Sequence, residues 1–113
     1  MRMILIPVIG KIQSVEVTDV QSKRLDAMRR LIGAEWIERV RVGDSLSLAV
    51  DEEGIRNFKV PNPRASVLYG QGRVGEWIYG DALLAKEGRT HDGVDWLHMD
   101  DDLHAQMMQR IGK

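Results

Sequence analysis

The groups that could bind a ligand are most concentrated in residues 60–84, which read VPNPRASVLYGQGRVGEWIYGDALL. Asn62 followed by Pro63 predicts the start of a helix, because an asparagine side chain caps free backbone amides and proline suits the first helical position. A helix start presents unpaired N–H groups to phosphate or carboxylate, and Arg64 could add a planar fork of donors. Asn62 and Arg64 are therefore candidate residues for binding a small anionic ligand such as a nucleotide.

A glycine-rich segment follows this predicted helix. The helix is expected to run through Tyr69 and to end at Gly70, since glycine readily adopts the left-handed conformation. Residues 70–75, GQGRVG, match the G-x-G-x-x-G pattern of dinucleotide sites, but that pattern requires a preceding strand and a following helix. Here a helix precedes and the strand-like EWIY follows, so a glycine-rich loop is the better interpretation. Tyr69, Gly70, Gly72 and Arg73 join the candidate ligand-binding residues.

Aromatic side chains could stack a nucleotide base beside these arginines. The available residues are Trp36, Tyr69, Trp77, Tyr79 and Trp96. The alternative is that they pack in a core or against a sheet, as such residues often do, while Arg64 and Arg73 face water. The sequence alone leaves both interpretations open.

The histidines and aspartates of the C-terminal third could form a metal site, since imidazole and carboxylate are common ligands. His91 falls in a polar loop, His98 on a predicted strand and His104 on a predicted helix, so we do not expect them to converge. We predict no bound metal, no other cofactor and no catalytic residue. The aspartates at residues 100–102 fit the favourable negative charge of a helix start. A small hydrolase or nuclease that uses these Asp and His groups is the alternative function.

Composition is that of an ordinary soluble globular chain. Its 113 residues suit one domain, residues 1–113, and 43% hydrophobic with 29% charged residues argues against disorder. A net charge of -1 gives no general field to attract nucleic acid. No apolar run approaches the roughly 20 residues that cross a bilayer, and Pro7 interrupts the signal-like apolar N-terminus. With no cysteine, the chain fits a reducing compartment, and we expect a cytoplasmic protein.

The alternation of apolar residues predicts an α+β fold, with an antiparallel sheet of about six strands and two main helices packed on one of its faces. One helix is expected over residues 20–32, ended by Gly33, with Leu25, Met28 and Ile32 buried. The second helix closes the chain. Expected strands cover residues 3–9, 12–17, 35–42, 46–50, 55–60, 77–85 and 94–99, and residues 87–93 are expected to form an exposed loop.

The order of several short motifs resembles the family called domain of unknown function 3846. The motifs are a helix ending in Gly33 before IE, the acidic turn DEEG at residues 51–54, the PN step at residues 61–62 followed by RA, and Ile78 with GD at residues 80–81. The likeness covers most of residues 25–84. It implies a phage or phage-associated bacterial origin and no established activity. The chain departs from the family pattern in residues 70–75, so the resemblance assigns no role to that loop.

Together these features favour a small phage-like accessory binding protein in the cytoplasm of a bacterial host, in preference to an enzyme. It would act by binding a host protein, with counter-defence as one use, or by sequestering a small anionic ligand such as a nucleotide. The sequence leaves open whether the chain forms a homo-oligomer.

Overall fold

The computed structural model describes residues 1–70, 77–91 and 93–112, which form one six-stranded sheet and three helices. The predicted α+β class is confirmed. In chain order the elements are β1 (Arg2–Ile6), β2 (Gln13–Glu16), α1 (Gln21–Ile32), β3 (Ile37–Gly43), β4 (Leu46–Asp51), α2 (Pro63–Tyr69), β5 (Ala82–Thr90), β6 (Gly93–Leu97) and α3 (Asp101–Ile111).

The sheet is antiparallel throughout, with strand order β2-β1-β5-β4-β3 and with β6 paired to β5. β5 has nine residues and pairs with three other strands. Leu84, the third residue of β5, lies opposite Ile4 of β1, and Lys86, the fifth residue of β5, lies opposite Leu97 of β6. Because both partners lie on the same side of β5, β1 and β6 are arranged end to end beside it.

Helices cover both faces of this sheet. α1 packs with Met3, Leu83 and Trp96 on one face, whereas α2 and α3 pack with Ile4 and Leu84 on the other. The prediction that both main helices lie on one face is therefore wrong. Successive residues of the central strands, such as Leu83 and Leu84, are both fully buried. A sheet that is apolar on both faces needs a layer of structure on each.

α1 ends as the sequence predicts, with Gly33 in the left-handed conformation at φ 63° and ψ 43°. The predicted burial of Met28 and Ile32 is confirmed, whereas that of Leu25 is wrong, since Leu25 is 45% exposed. Arg24 takes the buried position one turn before Met28 instead. Its guanidinium is satisfied by a carboxylate of β6 and by two carbonyls that precede the helix. The buried stripe therefore repeats every four residues from Arg24.

Two predicted extended segments differ in the structure. Residues 52–58 form a series of turns, so the predicted strand over residues 55–60 is wrong. Residues 77–81 precede β5 without belonging to it, because Gly80 adopts φ 86° and interrupts the extended backbone. β5 instead continues through the polar segment for which the sequence predicts a loop. Pairing with β6 satisfies the backbone groups of that segment, so its polar side chains do not prevent a strand.

The helices have 12, 7 and 11 residues. None in the described part of the chain is long and apolar enough to cross a membrane. α3 begins after Asp100, whose carboxylate accepts from Leu103 N at 2.8 Å. The predicted helix start at residues 100–102 is therefore confirmed, with two further acidic residues in the first turn of α3.

Candidate functional site

α2 carries the first predicted ligand-binding residues, and both of its ends are as the sequence predicts. Asn62 Oδ1 caps the helix by accepting from Ala65 N at 3.1 Å, and Gly70 closes it at φ 85°. The Asn62 side chain is fully buried, and its Nδ2 donates to Ile6 O at 2.8 Å and to Gly80 O at 3.0 Å. Since these bonds use both amide hydrogens and the carbonyl oxygen, Asn62 ties α2 to β1 and to the turn before β5.

Arg64 is held by the loop between β1 and β2. Its Nη2 donates to Pro7 O at 2.6 Å and to Gly10 O at 2.7 Å. Both acceptors are neutral carbonyls, so these bonds fix the side chain without neutralising its charge. No carboxylate among the described residues forms an ion pair with Arg64.

Arg64 lines a cleft of about 250 Å³ between α2 and α3, which we call the α2–α3 cleft. Its lining residues are Pro63, Arg64, Val67, Leu68, Arg110 and Ile111. Two of these are arginines, four are apolar, and none of the described residues that line it is acidic. Because arginine stays protonated at all ordinary pH values, the cleft carries positive charge.

None of the other predicted ligand-binding residues that the structure describes lines this cleft. Tyr69 lines a separate groove, and Gly70 is the C-cap of α2. Gly72 and Arg73 lie outside the described residues. The prediction that the whole set binds one ligand therefore stays a prediction. Of the described members, Arg64 lines the cleft and Tyr69 lines the groove, whereas Asn62 and Gly70 cap the two ends of α2.

The larger cavity has a volume of about 640 Å³, and we call it the acidic groove. Its charged lining residues are Glu38, Asp51, Glu52, Glu53 and Arg56, and its aromatic lining residues are Tyr69, Trp77 and Tyr79. Four acidic side chains against one basic side chain make this groove negative at neutral pH. The aromatic residues of this groove are among those that could stack a base, whereas the pattern of the acidic motif at residues 51–54 predicts only a turn.

Asp51 is the buried carboxylate of the groove, with a side chain that is 1% exposed. Its Oδ1 accepts from Glu53 N at 2.9 Å, and its Oδ2 accepts from Asn57 Nδ2 at 3.1 Å and from Lys59 Nζ at 2.8 Å. Burial raises the pKa of Asp51, but these hydrogen bonds and the charge of Lys59 together hold the pKa below its usual value. Asp51 is therefore ionised at neutral pH and organises residues 51–60, which we call the Asp51 loop.

Lys59 anchors the Asp51 loop to the end of α1. Its Nζ also donates to Ile32 O at 3.2 Å and to Gly33 O at 2.7 Å, carbonyls at the C-terminal end of the helix. The Lys59 stem lies against Gly80, where an added Cβ would come within 2.6 Å of Lys59 Cδ. The position of the loop therefore depends on contacts with segments that are distant in sequence.

The Asp51 loop exposes two large apolar side chains. Phe58 is 93% exposed and Ile55 is 70% exposed. Phe58 also has φ 59°, a left-handed conformation that costs a residue with a side chain about 1–2 kcal/mol. The hydrogen bond from Phe58 N to Ile55 O, at 3.1 Å, belongs to the turn that imposes this conformation. The loop thus holds an aromatic side chain in water at a cost to the stability of the free chain.

The three histidines occupy different elements. His98 Nδ1 accepts from Arg2 N at 2.9 Å, His104 Nε2 is buried without a hydrogen-bond partner in the described structure, and His91 lies in the turn between β5 and β6. Within residues 1–70, 77–91 and 93–112, no group of three or more His, Asp or Glu side chains is arranged to hold a metal ion. Asp101 pairs with Arg2 at 2.7 Å, so it contributes to structure. The hydrolase alternative stays a prediction.

The fold and the two cavities define a small α+β protein with helices on both sides of one sheet, and with an acidic groove and a basic cleft as candidate binding sites. The chain belongs to the family described as Domain of unknown function (DUF3846), whose model matches residues 1–112. The resemblance drawn from residues 25–84 is thereby confirmed over nearly the whole sequence. No curated protein and no solved structure matches the chain.

Proposed function

We propose that this chain is a binding protein that docks onto a host protein through Phe58 of the Asp51 loop. The observation that carries the proposal is the combination, at Phe58, of 93% exposure with a left-handed backbone. An exposed phenylalanine adds nothing to the stability of the free chain, and the strained backbone lowers it. Exposure and a fixed, left-handed backbone are both useful, however, in a residue that inserts into a pocket of a partner.

Burial in a partner would give Phe58 a large share of the binding free energy. Removing a phenylalanine side chain from water contributes about 1.5–3 kcal/mol. A few anchors of this kind dominate most protein interfaces. The Asp51 network supports the proposal further, because a loop that is already ordered loses less conformational entropy on binding.

The acidic groove beside the loop indicates the chemistry of the partner surface. Glu38 and Glu52 line the groove, are exposed, and have no ion pair with any described residue. Asp51 and Glu53, in contrast, are paired with Lys59 and with Arg56. A partner with an apolar pocket flanked by lysine or arginine would match Phe58 and the two free carboxylates. Such complementarity mainly speeds association and excludes wrong partners.

The proposed setting is a bacterial cytoplasm, with the chain as a phage-associated accessory protein that blocks a host defence component. This part of the proposal rests on the resemblance of the sequence motifs and not on the geometry. A small chain that presents one ordered aromatic anchor is suited to occupying a host surface without performing a reaction on it.

The test compares two exposed apolar residues in different places. Tagged wild type, Phe58→Ser and Val67→Ser are used to capture proteins from the lysate of the bacterial host, and the captured proteins are identified by mass spectrometry. Val67 is 63% exposed but lies in the α2–α3 cleft, so it is the matched control. A partner should be retained by the wild type and Val67→Ser and lost by Phe58→Ser. With that partner purified, Phe58→Ser should raise Kd at least about tenfold. Equal affinity of all three chains would refute the proposal.

A further inference from the structure

We infer that the α2–α3 cleft binds a small ligand with an apolar body and one anionic head, such as an alkyl carboxylate or an alkyl phosphate. This site is separate from the surface proposed for the protein partner, and neither inference depends on the other. Three features of the cleft support it: its size, its apolar walls and its two arginines, which form no ion pair with any described residue.

The size and walls of the cleft suit a short apolar chain. Its volume of about 250 Å³ lies below the roughly 300–1,000 Å³ of pockets for drug-sized ligands, so a small ligand is indicated. Pro63, Leu68 and Ile111 provide apolar walls, and Val67 adds a side chain that is 63% exposed. A ligand that covers Val67 would remove this apolar surface from water, which favours binding.

The charge of the cleft sets the sign of the ligand head. Most described arginines have a carboxylate partner, and these are Arg2, Arg24, Arg29, Arg39, Arg41 and Arg56. Arg64 and Arg110 form no ion pair with any described residue, yet they line the same small cleft. Two like charges in one cleft repel each other, and a bound anion would relieve that repulsion.

Arg64 is also oriented before any ligand arrives. Its Nη2 is occupied by Pro7 O and Gly10 O, which hold the side chain and leave its other guanidinium hydrogens available. A guanidinium that is already fixed loses less side-chain entropy when it binds a carboxylate or phosphate. Arg110, in the last turn of α3, is exposed and supplies the second positive charge.

The experiment titrates the full chain with four six-carbon probes that carry different head groups: hexanoate, hexyl phosphate, hexanol and hexylamine. Binding is followed at low salt by amide chemical shifts, which also show whether Val67 and Ile111 respond. We expect hexanoate or hexyl phosphate to bind at least about tenfold more tightly than hexanol and hexylamine, and the tighter of the two identifies the preferred head.

Two variants separate the cleft from general surface charge. Arg110→Gln should weaken anion binding about tenfold, because it removes one charge-assisted contact. Arg89→Gln, which changes an exposed arginine on β5 that also has no ion pair with a described residue, should leave the affinity unchanged. The inference is overturned if no probe binds, if hexylamine or hexanol binds as tightly as the anions, or if the two variants have the same affinity.

Discussion

The acidic groove and the α2–α3 cleft share one short helix and carry opposite charge. Tyr69, at the end of α2, lines the groove, whereas Arg64, near its start, lines the cleft. The net charge of the chain is -1, which taken alone suggests no electrostatic field strong enough to attract a charged ligand. The two cavities show that local potentials of both signs can exist on a nearly neutral chain.

The two sites also differ in how their charges are used. In the groove, Asp51 is buried and fully engaged, so its charge builds the loop that exposes Phe58. In the cleft, Arg64 and Arg110 lack carboxylate partners among the described residues, so their charges remain available to a ligand. The paired charge of Asp51 thus determines structure, whereas the charges of Arg64 and Arg110 line the cleft where we expect an anion to bind.

The largest loss of stability should come from a substitution of Asn62, because this residue supports both sites. Asn62→Ala removes the cap of α2 and leaves Ile6 O and Gly80 O without their donor. We expect the free energy of unfolding to fall by about 3–5 kcal/mol, because each buried group that loses its partner costs about 1–3 kcal/mol. Urea denaturation measures this fall in the free energy of unfolding. Val67→Ala on the same helix should cost under about 0.5 kcal/mol, and similar losses in both variants would contradict the structural role of Asn62.

A smaller loss of stability should follow from Asp51→Asn, and its structural effect should be confined to the groove. The change leaves Lys59 without its ionised partner, and breaking a buried pair usually costs about 3–5 kcal/mol. Because the Lys59 side chain is 20% exposed, water compensates part of the loss, and we expect about 2–3 kcal/mol. Glu52→Gln, on the exposed neighbour, is the control. Anion binding in the α2–α3 cleft should survive Asp51→Asn, and its loss would show that the two sites are not independent.

The acid side of the stability curve gives a third comparison. The pKa of Asp51 is lowered in the folded state, so its contribution is complete above the ordinary carboxyl pKa of about 3.9 and is lost as the pH falls through the lowered value. Wild type should therefore lose stability below about pH 4 more steeply than Asp51→Asn. Urea midpoints measured from pH 3 to pH 7 would detect this. Parallel curves for the two chains would mean that Asp51 is not the group responsible for the loss of stability at low pH.

The substitutions that change stability least should distinguish the two sites most clearly, because they should change binding alone. Glu52→Gln and Arg110→Gln change exposed side chains, so each should alter the free energy of unfolding by less than about 0.5 kcal/mol. Arg110→Gln should weaken binding of an alkyl carboxylate and leave the protein partner unaffected. Glu52→Gln should slow association with the protein partner and leave the carboxylate unaffected. If each variant affected both ligands equally, a single general surface charge would explain the binding better.

The features predictable from the sequence are those determined by neighbouring residues. The cap at Asn62, the proline after it, and the left-handed glycines at Gly33 and Gly70 depend on local backbone preferences, and all were predicted correctly. Leu48 and Val50 share one face of β4, as their alternation requires.

The features that escaped prediction depend on contacts between distant segments. Lys59 reaches both Asp51 and the carbonyls that end α1, and a strand pattern at residues 55–60 contains no sign of this. The α2–α3 cleft likewise joins Arg64 and Arg110, which are 46 positions apart in the sequence. An acidic residue followed by turn-forming residues was the available signal for the Asp51 loop, since aspartate commonly binds backbone amides two residues ahead.

Whether Phe58 serves binding or folding is decided by measuring both the stability and the partner affinity of Phe58→Gly. Glycine adopts φ 59° without strain but loses more backbone entropy on folding, so the free energy of unfolding should stay the same or rise by up to about 1 kcal/mol. The affinity for the captured protein should fall at least about tenfold, because the aromatic anchor is gone. A loss of about 2 kcal/mol or more in stability would show that Phe58 supports the fold. Binding of the partner as tightly as by the wild type would show that Phe58 is not the anchor.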